Sequence, residues 1–179
     1  MLEAKDCCLV VVDIQGKLAE LMVDKATLFE NTAVLIKIAK ALDISILWCQ
    51  QVPRALGETV DSLRSLLCDD EPIDKFTFSC CGDEKFDSRL NSISPKQAIL
   101  CGIETHICVY QTAMGLLAKD IEVNVIADAV SSRTKDNKNI ALKRMSAEGV
   151  NLSSTEMCLF ELLKDAKHPK FKELAKLIK

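Results

Sequence analysis

The sequence predicts an α/β protein of three layers, α/β/α, in which helices cover both faces of a six-stranded parallel sheet. Two observations lead to this prediction. Strand-like apolar runs alternate with helix-period segments along all 179 residues. The strands are also nearly continuous in Val, Ile and Leu, which is typical of strands buried on both faces. A chain of this length suits one domain, which we place at residues 1–179.

Six short apolar runs, bounded by polar or turn-forming residues, define the predicted strands. They cover residues 8–13, 45–50, 73–76, 98–101, 122–127 and 150–152. Crossover connections between parallel strands are right-handed, so the carboxyl ends of the strands share one edge of the sheet. Ligands of such sheets bind at that edge, where the strand order reverses.

Six helices are predicted between and after these strands, at residues 26–42, 59–67, 105–119, 135–148, 154–164 and 169–178. In the first, Leu28, Leu35 and Leu42 recur at a spacing that places them on one face. Gly149 ends the fourth helix, and Pro169 suits the first turn of the last.

The bulk composition restricts the class of partner. A net charge of −3 argues against a nucleic-acid partner, which would require a clustered basic face. No apolar run is long enough to span a bilayer, and no signal peptide is visible, so we expect no membrane partner. The nine cysteines include no C-x-x-C pair. Reduced thiols in a cytoplasmic protein are the simplest explanation.

Residues 99–109 carry the strongest chemical signal in the chain. They are predicted to form a buried strand, a glycine turn and a helix whose first turn contains Cys108. Unpaired backbone N–H groups and the positive end of the helix dipole both favour thiolate over thiol at such a position. We therefore predict that Cys108 is an ionised nucleophile.

Asp13 and Lys75 end two other predicted strands, so they should approach Cys108 at the same edge of the sheet. Asp13 can accept the thiol proton and return it as a general acid, while Lys75 keeps the carboxylate ionised and orients both groups. Backbone N–H groups of the turn before Cys108 could stabilise an oxyanion. Each residue alone also has a common structural explanation: a cap for Asp13, a solvated side chain for Lys75 and a buried thiol for Cys108.

Four blocks of this sequence resemble the isochorismatase-like hydrolase family, in particular its cysteine hydrolase branch. The first is Val11-Val12-Asp13-Ile14-Gln15, and the second is Lys75-x-x-Phe78-Ser79. The others are residues 102–109, Gly-Ile-Glu-Thr-His-Ile-Cys-Val, and residues 126–133, Ile-Ala-Asp-Ala-Val-Ser-Ser-Arg. The resemblance covers nearly the whole chain and is greatest to the small single-domain proteins called isochorismatase domain-containing.

The resemblance implies a Rossmann-like sheet of six parallel strands and a catalytic triad of Asp13, Lys75 and Cys108. It also implies a cis peptide bond between Ile103 and Glu104, with the N–H groups of Glu104 and Cys108 forming an oxyanion hole. The substrate pocket would be lined by four residues, namely Gln15, Gln51, Phe78 and Ile103. Members of this family commonly form dimers or larger rings, so a homo-oligomer is expected.

Two departures from family patterns narrow the expected chemistry. Nicotinamidases carry a histidine-containing metal site after the second strand, but residues 47–53 contain no histidine, so we expect neither a metal nor another cofactor. True isochorismatases protonate a vinyl ether and do not need a cysteine. The presence of Cys108 therefore favours hydrolysis of a small amide, carbamoyl or related C–N bond through a thioester.

Two alternatives remain open from the sequence. The chain could be a catalytically silent oligomeric interaction protein that keeps the fold. It could also be a vinyl-ether hydrolase in which Asp13 is the general acid and the thiol is idle. Ribonuclease activity has been attached to some relatives, but nothing in this sequence resembles a basic RNA groove.

Overall fold

A computed structural model describes residues 1–178, and it confirms the predicted fold class. Its six strands form one all-parallel sheet in the order β3-β2-β1-β4-β5-β6. The strands are β1 (Cys7–Val12), β2 (Ser45–Gln51), β3 (Ile73–Lys75), β4 (Gln97–Ile103), β5 (Glu122–Ser131) and β6 (Asn151–Ser153). The chain runs outward from β1 through β2 to β3, then returns to β4 on the other side of β1. The strand order therefore reverses between β1 and β4.

Nine α-helices and several shorter turns connect the strands among residues 1–178. The helices are α1 (Gly16–Glu20), α2 (Lys25–Ala41), α3 (Pro53–Leu56), α4 (Asp61–Arg64), α5 (Glu84–Ile93), α6 (Tyr110–Leu117), α7 (Lys135–Ala147), α8 (Thr155–Leu163) and α9 (Phe171–Leu174). A π-helical turn, Thr105–Val109, precedes α6. Turns of 3-10 helix lie at Ala4–Asp6, Cys80–Gly82 and Ala175–Ile178.

The two faces of the sheet pack against different helices. Leu9 and Val11 of β1 belong to a core that includes α2 and α8, whereas Val10 and Val12 belong to one that includes α5, α6 and α7. Burial of both faces explains why the strands are continuously apolar. None of the helices among residues 1–178 combines the length and apolarity needed to cross a membrane.

Several predicted elements differ from the structure. Helix α5 was not predicted. Asp83 caps it by accepting hydrogen bonds from the N–H groups of Lys85 and Phe86, and its Phe86 and Leu90 are buried one turn apart. The segment at residues 59–67 contains only the short α4. The predicted helix at 105–119 begins as the π-helical turn, and the one at 169–178 is α9 followed by 3-10 helix.

Strand β5 is longer than predicted because its pairing with β4 is interrupted. Leu100 pairs with Val125, but Gly102 pairs with Val130, so β5 contains extra residues between two paired stretches. Such a bulge changes the direction of a strand. It lets β5 continue to Ser131 and brings the residues that follow it to the carboxyl edge of the sheet.

Gly102 of β4 lies directly against the backbone of Val12 in β1. Its φ is +122°, and a Cβ built there would lie 2.1 Å from the carbonyl oxygen of Val12. We expect Gly102→Ala to lower the free energy of unfolding by about 2–5 kcal/mol, because backbone strain and overpacking add. Urea unfolding followed by the fluorescence of Trp48 would measure this loss.

Gly149→Ala is the matched control for this substitution. Gly149 also has a positive φ, +96°, but an added Cβ would have no neighbour within 4 Å. Gly149→Ala should therefore lower the free energy of unfolding by only about 1–2 kcal/mol, because the backbone is strained but the added Cβ meets no neighbour. Equal losses for the two variants would contradict the explanation based on close approach of β4 to β1.

Candidate active site

The structure brings Asp13, Lys75 and Cys108 to the carboxyl edge of the sheet. Asp13 directly follows β1 in a left-handed conformation, φ +51°, and its N–H donates to the carbonyl oxygen of Cys49 at 3.1 Å. Lys75 is the last residue of β3, and Cys108 lies in the π-helical turn after β4. Asp13 and Cys108 flank the point where the strand order reverses, which is the expected location for a ligand site.

Lys75 reaches Asp13 across the end of the intervening strand β2. Its Nζ lies 2.7 Å from Asp13 Oδ2 and 2.7 Å from Oε1 of Gln51, the residue paired with it in the sheet. It also donates to the carbonyl oxygens of Thr77 and Phe78, each at 3.2 Å. The side chain is completely buried. All four partners are acceptors, so the site is built around an ammonium group.

The charge state of Lys75 follows from these contacts. Burial has the largest single effect and disfavours the ammonium, but the charge of Asp13, smaller contributions from Cys80 and Cys108, and the hydrogen bond to Asp13 together raise the pKa of Lys75 above its ordinary value. Lys75 is therefore a fixed positive charge at neutral pH.

Asp13 has one carboxylate oxygen that the ion pair does not use. Oδ1 is buried and has no hydrogen-bond partner among residues 1–178. The Cys108 thiol is close enough for the two groups to affect each other's pKa. Burial raises the pKa of the Asp13 carboxyl, and Lys75 opposes that shift. A buried acceptor without a donor is unusual in proteins and suits a group that exchanges a proton.

The surroundings of Cys108 favour the thiol in the free protein rather than the predicted thiolate. Burial raises the pKa of the Cys108 thiol, and the charge of Asp13 raises it further, while Lys75 lowers it only in part. Ionising both Asp13 and Cys108 would leave two negative charges beside one ammonium. The stable state therefore has one proton between the carboxyl and the thiol.

Removing the carboxylate should lower the pKa of Cys108. In Asp13→Asn the ammonium of Lys75 remains but the repelling charge is gone, so the pH midpoint for alkylation of Cys108 by iodoacetamide should move down from the wild-type value. Peptide mass spectrometry across a pH series would measure the midpoint. Any hydrolytic activity should fall in the same variant, because the proton acceptor is lost.

Asp74→Asn provides the control for a change of net charge. Asp74 precedes Lys75 in β3 but is exposed and bonds to Gln50 rather than to the cluster. Its substitution should leave the alkylation midpoint of Cys108 near that of the wild type. A midpoint for Asp13→Asn that is unchanged or higher would show that Asp13 does not control this thiol.

A cavity of about 240 Å³ opens beside the three residues. Of the residues predicted to contact substrate, Gln51, Phe78 and Ile103 line it, as do Asp13, Glu104 and Cys108. Four further lining residues were not among the predicted site residues, namely Leu18, Leu56, Ile107 and Arg133. The apolar ones belong to helices or turns whose approach to the site depends on tertiary packing. Arg133, in contrast, ends the last of the sequence blocks that resemble the family.

Gln15 does not line the cavity, contrary to the prediction. It is completely buried, and its side-chain amide is used by the backbone. Oε1 accepts from the N–H of Gln51 at 2.6 Å, and Nε2 donates to the carbonyl oxygens of Gln51 at 3.2 Å and Gly57 at 2.6 Å. Gln15 therefore holds the end of β2 and the segment after it behind the cavity wall. Such a role is indistinguishable from substrate contact in the sequence alone.

Glu104 connects the turn that carries Cys108 to the segment after β5. The peptide bond between Ile103 and Glu104 is cis. The carbonyl oxygen of Glu104 accepts from the N–H groups of Ile107 and Val109 at 3.0 and 3.2 Å. Its side chain accepts from Arg133 through the backbone N–H at 3.1 Å and through Nε at 3.1 and 3.2 Å. Glu104 thus fixes both the Cys108 turn and Arg133.

The two histidines lie apart from this chemistry. Nδ1 of His106 lies 3.0 Å from the hydroxyl of Ser132, and His168 Nδ1 accepts from the N–H of Lys170 at 3.1 Å. Among residues 1–178, no group of three or more His, Cys, Asp or Glu side chains is arranged to hold a metal ion.

The fold and the site define an α/β protein with a carboxylate, an ammonium and a thiol gathered at the carboxyl edge of a parallel sheet. Residues 7–157 match the family model described as the Isochorismatase domain. The chain belongs to the isochorismatase family and has the hydrolase fold of that family.

Relatives support this assignment along nearly the full length. The chain is 38% identical to isochorismatase domain-containing protein 2 of Danio rerio, over 99% of this chain and 89% of that protein. It superposes on the MAR1 ribonuclease of Caenorhabditis elegans with a TM-score of 0.93 and 35% identity, covering 99% of this chain and 91% of the other. The Escherichia coli YcaC gene product, an octameric hydrolase of unknown specificity, shares the fold with a TM-score of 0.93 at 23% identity, over 99% of this chain and 88% of that one.

Proposed function

We propose that this protein is a metal-independent cysteine hydrolase that cleaves a small amide, carbamoyl or related C–N bond through a thioester on Cys108. The observation that carries the proposal is the buried cluster itself. Lys75 is bound to one oxygen of Asp13 at 2.7 Å, while the other oxygen is left without a donor near the thiol. This arrangement gives a nucleophile, a proton acceptor and a fixed positive charge around one small cavity.

The reaction proceeds in two steps. The sulfur of Cys108 attacks the substrate carbonyl carbon, and its proton passes to Asp13. Asp13 then protonates the leaving nitrogen as the C–N bond breaks, which leaves a thioester and a free amine or ammonia. Water attacks the thioester, gives one proton to Asp13, and the C–S bond breaks to form a carboxylic acid. The proton on Asp13 returns to the sulfur, so the enzyme is restored.

A protonated resting thiol is compatible with this sequence of steps. The Cys108 thiol loses its proton only as its sulfur attacks the substrate. The Asp13 carboxylate, which disfavours a free thiolate before attack, is the group that receives this proton. The N–H groups of Glu104 and Cys108 would stabilise the oxyanion, since both residues line the cavity. Gln51, Phe78 and Ile103 would contact the substrate from the remaining sides.

A small molecule fits this site better than RNA does. The cavity lining includes Leu18, Leu56, Phe78, Ile103 and Ile107, and the net charge of the chain is −3. Binding of RNA relies on basic surfaces and on aromatic stacking along a groove. Because one similar structure is named a ribonuclease, an RNA oligonucleotide belongs in the substrate panel.

We also propose that residues 1–179 form a single domain that assembles into a homo-oligomer in the cytoplasm. The octameric YcaC protein supports the assembly, as do exposed apolar side chains such as Phe76, 81% exposed, and Ile140, 57% exposed. The nine cysteines are all unpaired, which suits a reducing compartment. Light scattering after size-exclusion chromatography should give a mass that is a multiple of the 19.8 kDa chain.

Trapping of the thioester tests the proposed function directly. The protein is mixed with p-nitrophenyl acetate and with a panel of small primary amides and N-carbamoyl compounds, and ammonia release is followed beside intact mass. We expect an acyl adduct that hydroxylamine removes and that peptide mapping places on Cys108. Absence of both adduct and ammonia across the panel, or cleavage of the RNA oligonucleotide instead, would count against the proposal.

A further inference from the structure

We propose that His106 is a positioning residue, which holds the turn that carries Cys108 in the shape that keeps the sulfur near the Asp13 carboxylate. His106 does not line the cavity and takes no part in the chemistry itself, so it acts only through the shape of this turn. The inference rests on the proposed function, because the geometry that it maintains is that of the nucleophile and its proton acceptor.

The turn that carries Cys108 is not an ordinary α-helix. The carbonyl oxygen of Glu104 accepts from the N–H of Val109 at 3.2 Å. The carbonyl oxygen of Thr105 accepts from the N–H of Tyr110. Both hydrogen bonds join residues five positions apart, as in a π-helix, which is rare and is frequently found at functional sites. A change to α-helical bonds, four positions apart, would turn the Cys108 side chain in a different direction.

His106 connects this turn to the end of β5. Its Nδ1 lies 3.0 Å from the hydroxyl of Ser132. A neutral ring can accept from that hydroxyl through Nδ1, and a protonated ring can donate to it, so the hydrogen bond forms in both states. Ser132 is completely buried, and its hydroxyl has no other partner among residues 1–178. Because a buried hydroxyl without a partner is costly, the native packing favours this contact.

Ser132 is itself fixed in place. Its carbonyl oxygen accepts from the N–H of Val23 at 3.0 Å, and the hydroxyl of Ser131 donates to the carbonyl oxygen of Val23 at 2.5 Å. The end of β5 is thus bound to the loop between α1 and α2. The side chain of Glu104, described above, secures the turn where it begins. His106 therefore adds a second point of attachment, two residues before the nucleophile.

Loss of this attachment should weaken the influence of Asp13 on Cys108. Burial has the largest effect on the pKa of this thiol and raises it, and the charge of Asp13 raises it more than that of Lys75 lowers it. If the turn relaxes and the sulfur moves away from both charges, the pH midpoint for alkylation by iodoacetamide should move down. Asp13→Asn should then shift the midpoint less in the His106→Ala background than in the wild type.

Acylation of Cys108 by p-nitrophenyl acetate should also slow in His106→Ala. We expect a loss of about 10²-fold, which is the size of effect that a displacement of about 1 Å can produce at a reacting group. Stopped-flow release of p-nitrophenol would give the rate of acylation. Peptide mass spectrometry across a pH series would give the alkylation midpoint of Cys108 in the same preparations.

Three further variants separate this role from a general effect on folding. Ser132→Ala removes the same hydrogen bond from the other side, so it should match His106→Ala, and the double variant should be no worse than either single one. His106→Asn keeps a donor and an acceptor near the position of Nδ1 and should restore most of the wild-type midpoint. His168→Ala removes the other histidine, which contacts Lys170, and should behave as the wild type.

Two results would overturn the inference. One is an alkylation midpoint in His106→Ala that equals the wild-type value and still responds fully to Asp13→Asn. The other is a change in His106→Ala that His106→Asn does not reverse and Ser132→Ala does not reproduce. If His106→Ala fails to fold, the Ser132→Ala and His106→Asn variants give the same comparison.

Failure of this inference is distinguishable from failure of the proposed function. Alkylation does not require a thioester, so the midpoints test the role of His106 even if the wild type forms no acyl adduct. Absence of that adduct would count against the hydrolase alone. Conversely, an adduct that forms at equal rates in the wild type and in His106→Ala would support the hydrolase and exclude a positioning role for His106.

Discussion

Cys108→Ala should abolish formation of the acyl adduct and reduce hydrolysis of any amide substrate by about 10³-fold or more. Loss of a covalent nucleophile has effects of this size or larger in enzymes whose catalytic residues act as a unit. The fold should tolerate the change, because only one buried atom is lost. The free energy of unfolding should therefore fall by about 1 kcal/mol. Parallel measurements of ammonia release, intact mass and urea unfolding would separate the two effects.

Controls for this variant come from the other thiols. Cys68→Ala removes an exposed thiol, and Cys101→Ala removes a completely buried one at the centre of the sheet. Both should keep full activity, although the second should lose some stability. Turnover of isochorismate that survives in Cys108→Ala would instead support the vinyl-ether hydrolase, with Asp13 as general acid. Identical behaviour of wild type and variant on every substrate would support the silent interaction protein.

Lys75→Met should destabilise the protein by about 3–5 kcal/mol and also eliminate activity. The substitution keeps an unbranched side chain but leaves Asp13 Oδ2 and Gln51 Oε1 without their donor, 2.7 Å away in the native site. Removing one partner of a buried ion pair leaves an uncompensated charge, and this is the source of the large loss. Urea unfolding at neutral pH, followed through Trp48, would measure it.

The pH dependence identifies the group responsible for that loss. Without the ammonium, the pKa of Asp13 in the folded protein should rise above its already raised value. A carboxyl whose pKa is higher in the folded than in the unfolded state favours folding at low pH. This contribution is lost as the pH rises from about 4, the ordinary value for aspartate, toward the folded value. The free energy of unfolding of Lys75→Met should therefore fall less far below that of the wild type at pH 5 than at pH 8.

A double variant provides the second check. Asp13→Asn combined with Lys75→Met removes both charges, so part of the stability lost in Lys75→Met should return. If the losses of the two single variants simply add, or if the deficit of Lys75→Met is independent of pH, the ion pair is not what stabilises this end of the sheet.

The sequence was sufficient to predict the layers, the parallel sheet and the edge at which the site lies. Apolar runs that alternate with helical segments fix the class of fold, and strand ends are readable from residues such as Asp13 and Lys75. The contact of Lys75 with Asp13 could not be predicted in this way. This contact depends on the strand order β3-β2-β1 and on a Lys75 side chain long enough to cross the end of β2. Both are properties of the assembled sheet.

Two differences between the predicted site and the structure have the same origin. The raised pKa of Cys108 follows from burial and from the charge of Asp13, whereas the sequence indicated only the helix after the glycine turn. Gln15 belongs to a block that resembles the family, yet its amide is occupied by the backbone around Gln51 and Gly57. In both cases tertiary contacts decide the chemistry of the group. Local sequence gives its position but not its surroundings.

Thr77 and Phe78, which follow β3, contact Lys75, and Phe78 also contributes to the cavity wall. The carbonyl oxygens of Thr77 and Phe78 help to hold the ammonium of Lys75, and the Phe78 ring forms part of the cavity wall. We expect a molecule that displaces this segment on entry to alter the hydrogen bonds that Lys75 donates to it. Ligand binding would then change the Lys75–Asp13 contact, and with it the basicity of Asp13, the proposed proton acceptor.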